Sequence, residues 1–579
     1  MTDRACSHRP LAHRLFLGLA LALVLPMLLG CPARPGAGKP KAGTSEQKTD
    51  ADQSTRNDTA KQAADILEGA LHQLQPENLG IDSELKNAIT LLNTWSKIRR
   101  TNETFPTLPE KTAIFFGPAS RETLDAEVYD NADGKHIRDV ILFDQVAAHV
   151  ASGATGDVER VNRVFFYCLR NVGLAGEEEE ELPLGPFDAL FLGRGTAADR
   201  AAVFLEILRQ LRIDACVLAE SPAASVDDQW LIGVLVEGKV LVYDPILGLP
   251  IPPGTSPTLL VKQPVADLAE LQAHPEWLAA LSARKDQPYR IEGESLAKFR
   301  PLAVTEARWS APRLEFLQSS LTGGNSALVS QPLFGSPTEP GLWDRITAYT
   351  PWKDATPAIW PHFERRQQQL EKLTPTTAQM LQEMFRPFEA PFNAGRDPKT
   401  NQVVVGSSQW RQYRTRMAQL SGDYPQAISA YVTIRQLSAV TGMLPPQIER
   451  VHLLAAMDAF FFSGISKLED GDSKGGVSLL AEFMNRHPRS RWRPVARIAM
   501  AGALLEQGDR KRAKEVLDLT IAQDPYRPLV SLLKLSLADV ATENEPAAKG
   551  SEPVEKAEPA PASPKEPASP GGAVEKEDR

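Results

Sequence analysis

The fold turns on "GRGTAADRAAVFLEILRQL", Gly193 to Leu211. Two glycines and a hydroxyl residue come first. A run follows in which Ala201, Phe204, Ile207, Leu208 and Leu211 recur at helical spacing, with Arg200, Glu206 and Arg209 largely off that face. Thr196 followed by Asp199 reads as a capping pair, a relative of the Ser/Thr-x-x-Glu box. A helix that starts after a glycine-rich loop is a natural place for an anion or a nucleophile. Here that start carries only Thr196 and Ala197.

The neighbouring segments extend the pattern. Upstream, "DVERVNRVFFYCLRNVGL" keeps Val161, Val164, Phe165, Cys168 and Leu169 at helical spacing, which points Cys168 into a core. Downstream, "DACVLA" (Asp214 to Ala219) reads as a strand with Cys216 half-buried. "WLIGVLVEGKVLVYDP" reads as a hairpin that turns at Glu237-Gly238 and ends at Asp244-Pro245.

Helix, Gly-Thr loop, long helix, strand, hairpin, Asp-Pro is an order that resembles the transglutaminase-like family of the papain-type thiol superfamily. The resemblance runs from about residue 140 to about residue 255. In that family a Gly-x-Cys motif opens the central helix, a His follows on the first hairpin strand, and an Asp closes the next strand. The resemblance implies an α+β fold with the central helix packed on an antiparallel sheet. It puts the family nucleophile at Ala197 and the family His at Asp228 or Gln229, beside Trp230. Only Asp244 keeps the family residue.

The family's chemistry needs a thiolate at the helix N-terminus, where the dipole lowers the thiol pKa, and a His to take the proton. No histidine lies between the helix start and Asp244; the flanking ones are His149 and His274. Thr196 has no local His as base, and Cys216 sits in a strand without a visible activator. Gly193-x-Gly195 lacks both the P-loop lysine and the third glycine of the dinucleotide motif. The resemblance therefore implies a domain that has lost its catalytic residues, and neither cofactor nor metal is expected. Arg194, Thr196, Asp199, Arg200, Trp230 and Asp244, with Asp228 and Gln229, are candidate cleft residues for a peptide or protein partner. The competing reading makes these charges salt-bridged structure and Asp244 a cap of the turn before Pro245. The rival function is a divergent cysteine hydrolase or acyl-transfer enzyme with a displaced Cys/His pair.

The remaining sequence frames this unit. The 579 residues suffice for several domains at roughly 150 residues each. A formal net charge of −9 argues against a nucleic-acid partner. Four cysteines make no disulfide framework, and whether Cys168 pairs with Cys216 stays open. Arg4, Arg9 and Arg14 precede the apolar "LFLGLALALVLPMLL", which ends at Leu29-Gly30-Cys31. This resembles a bacterial lipobox, which implies a signal peptide over 1–31, lipid on Cys31, membrane anchoring and an extracytoplasmic cell-envelope location. No later stretch is expected to span a membrane.

Residues 32–60 read as a disordered tether and 542–579 as a disordered tail, both rich in Pro and polar residues. Between them lie a helical segment (61–115), the transglutaminase-like domain (116–260), a helix-rich unassigned region (261–404) and a helical domain (405–541). In the last, "SGDYPQAISAYVTI", "DGDSKGGVSLLAEF" and "QGDRKRAKEVLDLT" each place Gly-Asp ahead of a small residue, Ala427, Gly476 or Ala513. These resemble tetratricopeptide repeats, in which a glycine turn joins two helices and a small residue lets them pack closely.

Overall fold

The computed structural model describes residues 47–176, 179–254, 256–282, 288–323, 325–335, 339–436 and 444–543. Cys31 and the tail from 544 lie outside the described residues. The chain divides into one unit up to Asp58 and a second from Thr59. A helix, Gln47–Leu74, already occupies the second half of the stretch expected as tether.

In the second unit the central helix spans Ala197–Gln210, with Thr196 as its N-cap. Two short strands, β1 (Gly173–Leu174) and β2 (Arg194–Gly195), precede it, and it faces a five-stranded antiparallel sheet built from β3 (Ala215–Ala219), β4 (Trp230–Val236), β5 (Lys239–Asp244), β6 (Leu249–Pro250) and β7 (Arg300–Ala303), in the order β6-β5-β4-β3-β7. The β4–β5 hairpin turns where the sequence places it. Glu237 (φ 52°) and Gly238 (φ 78°) are both left-handed, and Val236 pairs with Lys239. That geometry matches the twist of the flanking strands. Helix and antiparallel sheet thus share one core, in agreement with the mixed class read from the sequence.

Two expectations need correction. The central helix is not amphipathic in its surroundings: Arg200, Glu206 and Arg209 are buried along with its apolar face. The Arg209 guanidinium lies 4.1 Å over the Trp309 ring and donates to Glu206 at 3.2 Å. The second correction concerns the boundary at 260. Residues beyond it complete the sheet, because β7 pairs antiparallel with β3 through Val217–Leu302 and Cys216–Ala303. The 261–404 region also covers Arg209 of the central helix, through Trp309.

Among the described residues from 411 to 543 a run of helices follows, each packed on the next: Arg411–Leu420, Tyr424–Gln436, Pro446–Glu469, Ser473–Arg486, Arg493–Glu506, Arg510–Leu517 and Arg527–Glu543. The three Gly-Asp pairs are its tight turns. Gly422, Gly471 and Gly508 have φ of 90°, 87° and 76°, which suits glycine alone. In each turn the aspartate caps the next helix: Asp423, Asp472 and Asp509 accept from the backbone N–H of Gln426, Gly475 and Arg512. Ala427 and Ala513 are fully buried, and a Cβ on Gly476 would come within 2.4 Å of Leu468.

Pro446–Glu469 is long and apolar enough to cross a membrane, contrary to expectation, yet 72% of its most apolar window is buried in the fold. The N-terminal helices, including Leu85–Arg99, have a smaller core of their own, in which Trp95 packs with Phe316.

Candidate functional site

The start of the central helix is held in place by its own sequence. The backbone N–H of Thr196 donates to Asp199 Oδ2 at 2.8 Å, and the Asp199 N–H donates back to Thr196 Oγ1 at 3.1 Å. The Thr196 hydroxyl also donates to Asp199 Oδ2, at 2.9 Å. This is a reciprocal capping box. The two glycines of the opening stretch serve different purposes. Gly193 ends the preceding helix at φ 72°, with Phe462 and Trp492 against it. Gly195 makes room for Asp199, since a Cβ there would stand 2.7 Å from the Asp199 Cβ. The short parallel pair β1 (Gly173–Leu174) and β2 (Arg194–Gly195) fixes the loop between them.

A cavity of 810 Å³ opens on this helix start. Arg194, Gly195 and Thr196 form one wall. The acidic segment Glu179–Glu181 with Leu182 and Leu184 forms another, and the helix Pro375–Phe385 contributes Gln379, Met380, Glu383 and Met384. Arg491, from the loop before Arg493–Glu506, completes the lining. Glu179 pairs with Arg194, and Glu180 accepts from the Thr377 hydroxyl at 2.7 Å. The size suits a small-molecule or peptide site; most of its surface area is apolar, while four glutamates and two arginines stand in the lining.

Of the candidate cleft residues, the cavity gathers Arg194 and Thr196, with Asp199 directly behind Thr196. The others are used elsewhere. Arg200 is buried and donates to the carbonyls of Val172 (2.9 Å) and Pro245 (3.3 Å) and to the Tyr526 hydroxyl. It therefore ties the central helix to the C-terminal helices. Asp244 is fully buried and caps its own turn, accepting from the N–H groups of Ile246 and Leu247 at 2.9 Å each. It also takes Arg290 at 2.8 Å and the Tyr289 hydroxyl at 2.6 Å. Arg290 bridges on to the Trp230 carbonyl. Trp230 itself is buried against Trp360, with ring centroids 5.7 Å apart. For Asp244 the capping and salt-bridge alternative describes the geometry, whereas Arg200 and Trp230 are buried in other structural contacts. Asp228 and Gln229 are exposed in the turn before β4, Asp228 with φ 59°.

Neither thiol reaches the cavity lining. Cys168 and Cys216 are free, unpaired with each other, and buried to 1% and 0% exposure. Burial pushes both thiols far above their ordinary range, the opposite of an activated nucleophile. His149 contacts Tyr167 and Tyr424 at a distance from this site. Among the described residues no group of three or more His, Cys, Asp or Glu is placed to hold a metal ion.

One residue escaped the sequence reading. His362, from the 261–404 region, stacks on Trp360 with centroids 4.6 Å apart and brings Nε2 within 3.5 Å of Asp199 Oδ1. Burial lowers its pKa to about 3, and burial raises that of Asp199 to about 7. The imidazole is therefore neutral at pH 7, while the carboxyl is poised between its two states. Nothing in the local spacing of "AIWPHF" signals this meeting; it depends on the distant segment folding over the helix start. No family model, curated protein or solved structure is matched by the chain.

Proposed function

We propose that this chain is a lipid-anchored extracytoplasmic binding protein. In this reading a transglutaminase-like domain has exchanged its thiol for Ala197 and kept the cavity in front of it. The helical run that follows is tetratricopeptide-like and serves as a scaffold for a partner at the cell envelope, and Cys31 carries the lipid. The occupant of the cavity is a peptide or a peptide segment of a protein.

One observation carries the reading. The cavity opens on the N-terminus of the central helix, and its lining combines Leu182, Leu184, Met380 and Met384 with Arg194, Arg491, Glu179, Glu180, Glu181 and Glu383 but contains neither Cys nor His. A hollow whose surface is mainly apolar, with charged groups fixed around it, is a binding geometry. The displaced-cysteine enzyme finds less support, because each described thiol lies in the core with burial opposing its ionisation.

The test is retention of a randomised hexapeptide pool on the immobilised full chain, quantified by mass spectrometry. Met380→Trp would fill the cavity from the Pro375–Phe385 helix. Peptides retained by the native chain and lost from this variant support the reading. Equal retention by both chains, or none by either, overturns it.

A further inference from the structure

A second hollow, of 420 Å³, lies in the helical domain and is lined by Leu454, Met457, Arg486, His487, Pro488, Arg489, Ser490 and Arg491. Arg491 belongs to the lining of both hollows. It is also held in a fixed orientation. Its Nη2 donates to Asp458 at 3.1 Å, and Asp458 is fully buried and accepts from the Trp492 indole N–H at 2.6 Å. The Arg491 side chain is still 27% exposed, and a partly exposed guanidinium that shares its charge with one carboxylate can take a second.

The charges around it are graded. The larger hollow carries Leu182, Leu184, Met380 and Met384 but also Glu180, Glu181 and Glu383, and its Arg194 is paired with Glu179. On the side of the smaller hollow stand Arg486 and Arg489, both exposed. Arg486 spends part of its charge on Glu482 at 2.7 Å. On a chain of net charge −9 this is a local basic mouth.

We infer that the two hollows form one recognition track for an extended acidic peptide. Apolar side chains enter the larger hollow, a carboxylate meets Arg491, and further acidic residues follow towards Arg486 and Arg489. The inference rests on the peptide-binding reading above and names the chemistry of its ligand. Glu180, Glu181 and Glu383 in the larger hollow repel an acidic residue there and leave Arg491 as its seat.

The same randomised hexapeptide pool tests it, read by composition. The native chain is expected to enrich peptides that join Asp or Glu to Leu, Ile, Met or Phe, and to release them as salt rises. Arg491→Gln strands Asp458, so it is combined with Asp458→Asn, which keeps an acceptor for the Trp492 indole. This pair, and separately Arg489→Glu, should each reduce the acidic enrichment at least tenfold without changing cooperative unfolding. Enrichment of Lys- or Arg-containing peptides that is lost in Met380→Trp would overturn the acidic track while leaving the peptide-binding reading intact. Acidic enrichment that survives the Arg491→Gln/Asp458→Asn pair would also overturn it. Retention of nothing would overturn both.

Discussion

His362 Nε2 stands 3.5 Å from Asp199 Oδ1, and the other oxygen of the same carboxylate holds the Thr196 hydroxyl at 2.9 Å. The helix start is therefore controlled by a buried carboxyl between a hydroxyl and a neutral imidazole. Its protonation should be visible in stability. Burial raises the Asp199 pKa to about 7 from an ordinary 3.8. A carboxyl raised on folding contributes stability that is full below the unfolded value and lost as pH climbs through the folded one. The native chain minus Asp199→Asn should thus lose unfolding free energy from pH 4 to pH 7, on the order of a few kcal/mol. Denaturant unfolding of both chains across that range measures it; a flat difference would contradict the assignment. His362 acts in the opposite sense. Its pKa, lowered to about 3, contributes stability above about 6.5 that fades as pH falls towards 3.

Gly195→Ala should destabilise by about 1–3 kcal/mol, because the new methyl meets the Asp199 side chain at 2.7 Å and overpacks the capping box. Thermal unfolding checks this. An unchanged midpoint would mean that Asp199 does not fold back over the glycine.

Arg200 and Tyr526 join the central helix to the C-terminal helices. Arg200→Met should cost about 3 kcal/mol or more, since it leaves the carbonyls of Val172 and Pro245 unmet in the core. Tyr526→Phe should cost about 1–2 kcal/mol. In a double-mutant cycle the two should couple by about 1 kcal/mol or more. Strict additivity would contradict a shared contact.

Much of this architecture is legible in the sequence because it is local. Periodicity gives the central helix, two apolar runs about Glu237-Gly238 give β4 and β5, and Thr196-x-x-Asp199 gives the cap observed. The three Gly-Asp turns are legible for the same reason: a left-handed glycine followed by a capping aspartate is set within a few residues. The site itself is much less legible. Arg200 and Asp244 look like cleft residues in a linear reading, because their partners Tyr526, Tyr289 and Arg290 come from far along the chain. The cavity roof at Met380 and the imidazole at His362 arrive the same way, from a region without a motif.

The proposed anchor has its own test. Metabolic labelling with palmitate should mark the native chain and leave Cys31→Ala unlabelled, with the variant released from the membrane fraction. Labelling that survives the substitution would remove Cys31 from the account.

The central proposal is that Ala197 stands at the position where a transglutaminase-like enzyme would hold its sulfur. The most direct measurement is the pH dependence of alkylation of the full chain and of Ala197→Cys, with each labelled site identified by mass spectrometry. In the native chain Cys168 and Cys216 should react only on unfolding, as their burial requires. The new thiol at position 197 should react at once and titrate clearly below the ordinary value of about 8.5, lowered by the helix N-terminus. Fast stoichiometric labelling of Cys216 in the native chain, or a thiol at 197 that titrates at or above the ordinary value, would contradict the account.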